Sequence, residues 1–426
     1  MYNIIAFIFF SGVAAFSVTH ALGLWLIILL IHGMLVMFMG DIAIHFPLYC
    51  GLATGMVVLV KGQWKAVPKS FLVAVFLFVA ILTAASVTGL DLSHSTIVML
   101  NYFKAILLAL LLAGCLVSES DIKTITIYCL VGLVIGSLFS LYQYITGQYV
   151  IQNIYIQRAA GLRTDPNDTA MLLVTGIPLG LYWLFNTKKN ITKLLCVGVI
   201  LLILFSIMLT GSRGGFVTLL IIGLGFYIRK PTIGATVLGG LLIVFMIALA
   251  PKTFVDRIET LVTGQEKHGG KSMNNRLELQ MTGIKLFLDN PVIGVGPGNF
   301  GLAYIQDKKP GYTPSKGSDF SHSYGVAHNM HLEMFVETGL FGGLLFELIM
   351  LLAFKGFLGY DKHNKTKQKS YTLGYMLALS LIGLLFSGLF LSQGKNSVLW
   401  FIVGMGFAMK KLTDQQRVAK RRAQRI

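Results

Sequence analysis

The sequence predicts an all-α, polytopic membrane protein. Hydrophobic residues make up 55% of the 426 and charged residues only 12%. The apolar residues also gather into runs near the ~20 residues that cross a hydrocarbon core. Soluble domains carry about 25% charged residues, so a water-exposed globule of this size could not cover its surface. The same composition excludes intrinsic disorder.

In chain order, candidate spans fall near 3–18, 21–39, 43–60, 70–90, 97–117, 124–146, 169–186, 194–210, 215–228, 232–250, 330–354, 371–391 and 397–410. That makes thirteen. The turns within 1–60, at Thr19-His20 and Gly40-Asp41, are short, so twelve spans with the N-terminus on the other side stays open. The opening Met1-Tyr2-Asn3-Ile4-Ile5 has no basic residue, and the first run is expected to be a retained span rather than a signal peptide. Cys50, Cys115, Cys129 and Cys196 all lie in apolar stretches, which implies no disulfide framework.

The net charge of +17 is an orientation signal. Its excess sits in 61–69, 187–193, 229–230, 355–370 and the tail from 410. These are alternate inter-span loops, which the positive-inside rule assigns to the cytoplasm. The basic runs lack interleaved aromatics and any nucleic-acid motif, so nucleic acid is not an expected partner. The chain divides into N-terminal spans (1–146), spans with a charged loop (147–250), a long outer loop (251–329), C-terminal spans (330–410) and a basic cytoplasmic tail (411–426). Outer loops this long without a role are uncommon. Within this one, 274–289 reads as an amphipathic helix, with Leu277, Ile284, Leu286 and Phe287 beside Arg276, Glu278 and Lys285. Asn290-Pro291 ends it.

Four constellations have chemical potential. Thr210-Gly211-Ser212-Arg213-Gly214-Gly215 joins two apolar runs at their outer ends. Small residues there let an anion approach the N–H groups of a helix start, and Arg213 adds a fork matched to phosphate. A tight hairpin with a snorkelling arginine is the competing reading. Arg158 and Arg163 precede Asp165-Pro166-Asn167-Asp168; Asp165 reads as a helix cap with Pro166 in the first turn. The two arginines are either solvated or part of an anion site, and Arg276 poses the same choice. Finally, Ala327-His328-Asn329-Met330-His331 leads into a span. Asn329 is the expected cap, and His328 either packs quietly or accepts a hydroxyl proton as a neutral imidazole. Glu333 and Glu337 are costly there unless they face protein or water; orienting His328 and pairing with an arginine are both open to them. Metal-like ligand spacing is absent, so no metal is expected.

The order of these motifs is more specific than any one of them. Arg158 and Arg163 with Asp165-Pro166-Asn167-Asp168 come first, then Ser212-Arg213-Gly214-Gly215. Asn275-Arg276 follows in a long loop with Asn290-Pro291 and Gly294-x-Gly296-x-Gly298-Asn299-Phe300. His328-Asn329 and Glu337-x-Gly339-x-x-Gly342-Gly343 complete the series. Across roughly 158–345 this series resembles the O-antigen ligase/polymerase superfamily, and most closely its ligase branch. The resemblance implies functional roles for Arg213, Arg276 and His328. Many relatives carry tryptophan four residues after the loop arginine, where this chain has Gln280.

The resemblance further implies a GT-C type glycosyltransferase of lipopolysaccharide biosynthesis in the bacterial inner membrane, its active site facing the periplasm. The implied donor is a glycan on undecaprenyl diphosphate. Arg213 and Arg276, with Arg158 or Arg163, Ser212 and Gly214, would hold the diphosphate, and His328 would activate the acceptor hydroxyl. The reaction would invert the anomeric centre and need neither metal nor cofactor. The acceptor is lipid A-core for a ligase, a second lipid-linked glycan for a polymerase, or a protein. A lipid-linked glycan transporter is the alternative of a different class, set against by the clustering of candidate residues at one face.

Overall fold

The computed structural model describes residues 2–424 apart from 41, 42, 44, 63, 65, 66, 149, 150, 154, 155, 162–164, 230, 234, 235, 237, 238, 241–243, 245–247, 249, 250, 264–271, 313–324 and 365–370. Among the described residues the fold is all-α, with one short antiparallel pair, β1 (Ile151–Asn153) and β2 (Ile156–Arg158). Seven of the helices are long and apolar enough to cross a membrane. Twelve of the thirteen expected runs are helices; the other, 232–250, lies largely outside the described residues.

The first nine helices are α1 (Tyr2–Phe16), α2 (Val18–Met39), α3 (Phe46–Val60), α4 (Lys69–Thr88), α5 (Leu92–Cys115), α6 (Glu119–Thr146), α7 (Pro166–Asn186), α8 (Asn190–Leu209) and α9 (Arg213–Arg229). The long loop contributes α10 (Lys252–Thr263), α11 (Ser272–Asp289) and α12 (Phe300–Lys308). Then come α13 (Met330–Asn364), α14 (Leu373–Ser387) and α15 (Ser397–Ala423). Lipid offers no hydrophobic drive between helices, so close backbone approach and side-chain packing hold the bundle. A Cβ on Gly356 would lie 2.2 Å from the Gly406 carbonyl, and one on Gly404 2.7 Å from that of Ala109. Those contacts bring α13 and α5 tightly onto α15, where Phe71 stacks on Phe407 at 3.8 Å.

The loops sort to two ends. At one, Lys61 donates to the Ala15 carbonyl, Arg229 pairs with Asp361 at 2.6 Å, and Lys411 donates to the last carbonyls of α5, Ala113 and Gly114. A cation on a helix C-terminus also complements its dipole. The other end gathers 89–91, 158–161, 210–213 and the loop helices, as the Leu90 N–H bonded to the Val295 carbonyl illustrates. Arg229 and Arg257 lie at opposite ends.

The C-terminal spans depart from the sequence reading. α14 has 15 residues, about 22 Å at 1.5 Å per residue, against a hydrocarbon core of about 30 Å. It begins at the basic end, where Thr372 donates to Asp361, and so stops short of the opposite face. The recess above it receives the start of α13. Gly339 has φ +68 and reverses the chain. Residues 330–338 therefore lie back on the first turns of 340–364, Phe335 against Gly343 and His331 against Glu347. What reads as one span over 330–354 is a re-entrant half-helix followed by the span proper. The reversal is pinned by bonds from Val295 N to Val336 O, Gly296 N to Glu337 O and Leu340 N to Pro291 O.

Candidate active site

The site forms where three chain ends meet above the recess. At the start of α7, the Asp165 side chain accepts from the Asn167 N–H at 2.6 Å, the cap expected there. The segment before it is tied down by the Ala159 N–H on the Leu209 carbonyl and the Gly161 N–H on Gln143. Between α8 and α9, Gly211 turns the chain at φ +57. Ser212 caps α9, its Oγ accepting from the Gly215 N–H at 3.2 Å. Gly215 lets α9 approach α7, since an added Cβ would sit 2.8 Å from that of Ala170. The Ser-Arg-Gly-Gly turn is therefore packed, and Ser212 is 2% exposed.

Arg158 is buried and held twice, by its Nε on the Thr210 carbonyl at 2.7 Å and its Nη2 on Asn167 Oδ1 at 2.9 Å. On the neighbouring carbonyl, Gly211, sits the Nε of Arg257, also at 2.7 Å. Burial pulls the Arg158 pKa down to about 9; Arg257, Arg276 and Arg213 add to the pull and Asp165 opposes it. It stays a cation at neutral pH. Three guanidiniums from other parts of the chain thus act on Arg158. Beside them a small cleft opens, with Asn167, Ser212, Gly214 and Arg276 facing Phe390 and Leu391.

His328 lies at the foot of the re-entrant half-helix. Its backbone has φ +48, a conformation L-residues seldom adopt outside functional or turn positions. The strained position is held from both sides. Gln280 of α11 donates to its carbonyl, and the Asn329 side chain caps the half-helix through the N–H groups of His331 and Leu332. Burial and Arg276 push the His328 pKa down to about 4, against a partial offset from Asp165. The imidazole is therefore neutral and competent to accept a proton. His331 is different: its Nδ1 meets Glu347 at 2.6 Å and its Nε2 meets the Leu385 carbonyl at 3.0 Å. A carbonyl only accepts, so Nε2 carries a hydrogen, and no ring nitrogen is left for substrate.

Ser212, Arg213, Gly214, Arg276, Arg158 and His328 are thus brought to one place; Arg163 lies outside the described residues. Glu333 bonds to Ser392 and to the backbone of Ala327, next to His328, whereas Glu337 bonds to the backbone of Gly298 and Phe300; the charge that acts on both is Lys395. Residues 169–346 match the Wzy_C family, described as O-antigen ligase. That match supports membership of the O-antigen ligase/polymerase superfamily. No curated protein matches it at a significant level. The matched stretch contains every candidate residue except Arg158 and Arg163, which precede it.

Sequence reasoning missed Arg257 and Asn167. Arg257 had a legible signal, its place between Phe254 and Ile258 on a helix whose apolar side packs Phe254 on Phe216 at 5.7 Å. Asn167 was visible only as part of a cap.

Proposed function

We propose that this protein transfers a glycan from undecaprenyl diphosphate to an acceptor hydroxyl at the periplasmic face of the inner membrane, with lipid A-core as the acceptor. The observation that carries this reading is the gathering of four arginines beside a cleft that Arg276 lines opposite Phe390 and Leu391, near a histidine held neutral. A diphosphate supplies two phosphoryl groups matched to planar guanidinium forks. The acceptor oxygen bonds to the anomeric carbon as the carbon–oxygen bond to phosphate breaks. His328 takes the hydroxyl proton, and polyprenyl diphosphate leaves with its charge met by Arg213, Arg276, Arg158 and Arg257. Attack opposite the leaving group inverts the centre. The guanidiniums supply the positive charge, so turnover should not respond to EDTA.

The test is purified protein with lipid-linked glycan and lipid A-core, resolved on a gel. Core-linked ladders support ligation, whereas longer lipid-linked chains made without core would reassign the protein as a polymerase. Arg213→Ala should lose about 2–4 kcal/mol of transition-state stabilisation, roughly 30–10³-fold in rate, at normal expression. Wild-type transfer by that variant would remove the anion-site reading.

A further inference from the structure

α11 has two apolar faces, and among the described residues only one is covered. Gly283, Leu286 and Phe287 pack toward Phe300, Leu332 and Phe335. Leu277, Met281, Ile284 and Leu288 form a second stripe, about 60° wide at 100° per residue, and are 62%, 61%, 46% and 67% exposed. The charges beside it turn sideways onto α12, Glu278 to Lys308 at 2.9 Å and Lys285 to Asp307. The charges are themselves exposed but tied to α12, and four apolar residues share the open side of the helix with them.

Depth is set by the neighbours. α11 runs alongside the re-entrant half-helix, with Gln280 on His328, Gly283 on Leu332 and Phe287 on Phe335. The half-helix lies on the outer turns of the 340–364 span, and His331 is level with Glu347. Glu347 is seven residues past Leu340, about 10 Å below the reversal. Over that stretch the span turns Leu340, Phe341, Leu344 and Leu348 outward. Val292 and Ile293, at the end of α11, are exposed as well. The stripe continues the lipid-facing surface of a membrane span.

We propose that the Leu277–Leu288 face of α11 is embedded in the hydrocarbon of the adjoining leaflet, so that α11 is a membrane element and not a lid in solvent. Arg276, next to the stripe and lining the cleft, then stands at the lipid edge, where an anionic lipid meets it laterally.

The test uses full-length protein in vesicles of phosphatidylethanolamine and phosphatidylglycerol. Nitroxide labels at Leu277→Cys, Met281→Cys, Ile284→Cys and Leu288→Cys, with the native cysteines changed to alanine, should collide more with oxygen than with a water-soluble nickel chelate. The order should invert at Glu278→Cys. Wild-type protein labelled in the same vesicles with a lipid-soluble diazirine supplies a second measure that needs no substitution. Its tryptic peptide 277–285 should carry the label. Nickel accessibility along the stripe, an unlabelled peptide, or spin–spin broadening from a second copy would each overturn the proposal.

Discussion

Arg158 and Arg257 occupy consecutive carbonyls, Thr210 and Gly211, at the C-terminal end of α8, where the helix dipole favours cations. That anchorage fixes two guanidiniums while Arg213 and Arg276 approach from other elements. Arg257→Ala should therefore lower kcat/KM for the lipid-linked donor by about 1.5–3 kcal/mol, roughly 10–150-fold, the worth of a charged hydrogen bond. Unchanged kinetics would exclude Arg257 from the site without touching Arg213. The histidine makes a separate prediction. His328 must be neutral to accept a proton, so activity falls as pH drops through its pKa. In the free protein that value is about 4, and kcat/KM should stay flat from neutral pH to about pH 5. A bound diphosphate offsets Arg276 and raises the pKa, so the fall in kcat should begin at higher pH. Coincident limbs in the two profiles would contradict this placement of the anion beside His328.

The re-entrant half-helix is the element on which the site depends. Gly339 has φ +68 and ψ −172, a region essentially restricted to glycine. A Cβ there would lie 2.2 Å from the Val292 carbonyl. Gly339→Ala should lower the thermal midpoint in detergent and reduce turnover together, because the reversal sets the height of His328; an unaltered midpoint would mean the turn tolerates rearrangement. The two histidines should separate. His328→Ala should cut turnover by about 10²–10⁴-fold with little loss of stability. His331→Ala leaves the Glu347 carboxyl short of a partner and should cost about 1–3 kcal/mol of stability, with a milder effect on turnover. Thermal unfolding and initial rates on the same preparations decide between these outcomes. A dead His331→Ala beside an active His328→Ala would reverse the assignment.

At the scale of the whole molecule, Lys61, Arg229 and Lys411 mark one end of the bundle and the candidate site residues the other. If the basic end is cytoplasmic, a cysteine at Lys308 should react with a membrane-impermeant maleimide in intact spheroplasts and one at Asp414 should not. The opposite pattern would place the arginine cluster away from a periplasmic donor. Spans, orientation charges and caps were legible in the amino-acid order because each is local. A backbone in lipid must satisfy its own hydrogen bonds within the segment, so 20 apolar residues announce a helix wherever they occur. Asp165 and Asn329 likewise cap residues only two or three positions away. The convergence of Arg213, Arg276 and His328 was foreseen through resemblance to a family rather than from any local pattern. The reversal at Gly339, the part played by Arg257, the occupied nitrogens of His331 and the uncovered face of α11 were not legible. Each depends on which distant segments become neighbours: His331 meets a carboxyl 16 residues on and a carbonyl 54 residues on, and Arg257 meets a carbonyl 46 residues back. Composition and spacing determined which stretches form long apolar helices. Packing of a short α14 against longer spans decided that a recess exists, and a recess is what draws a polar turn with its histidine below the surface and beside the arginines.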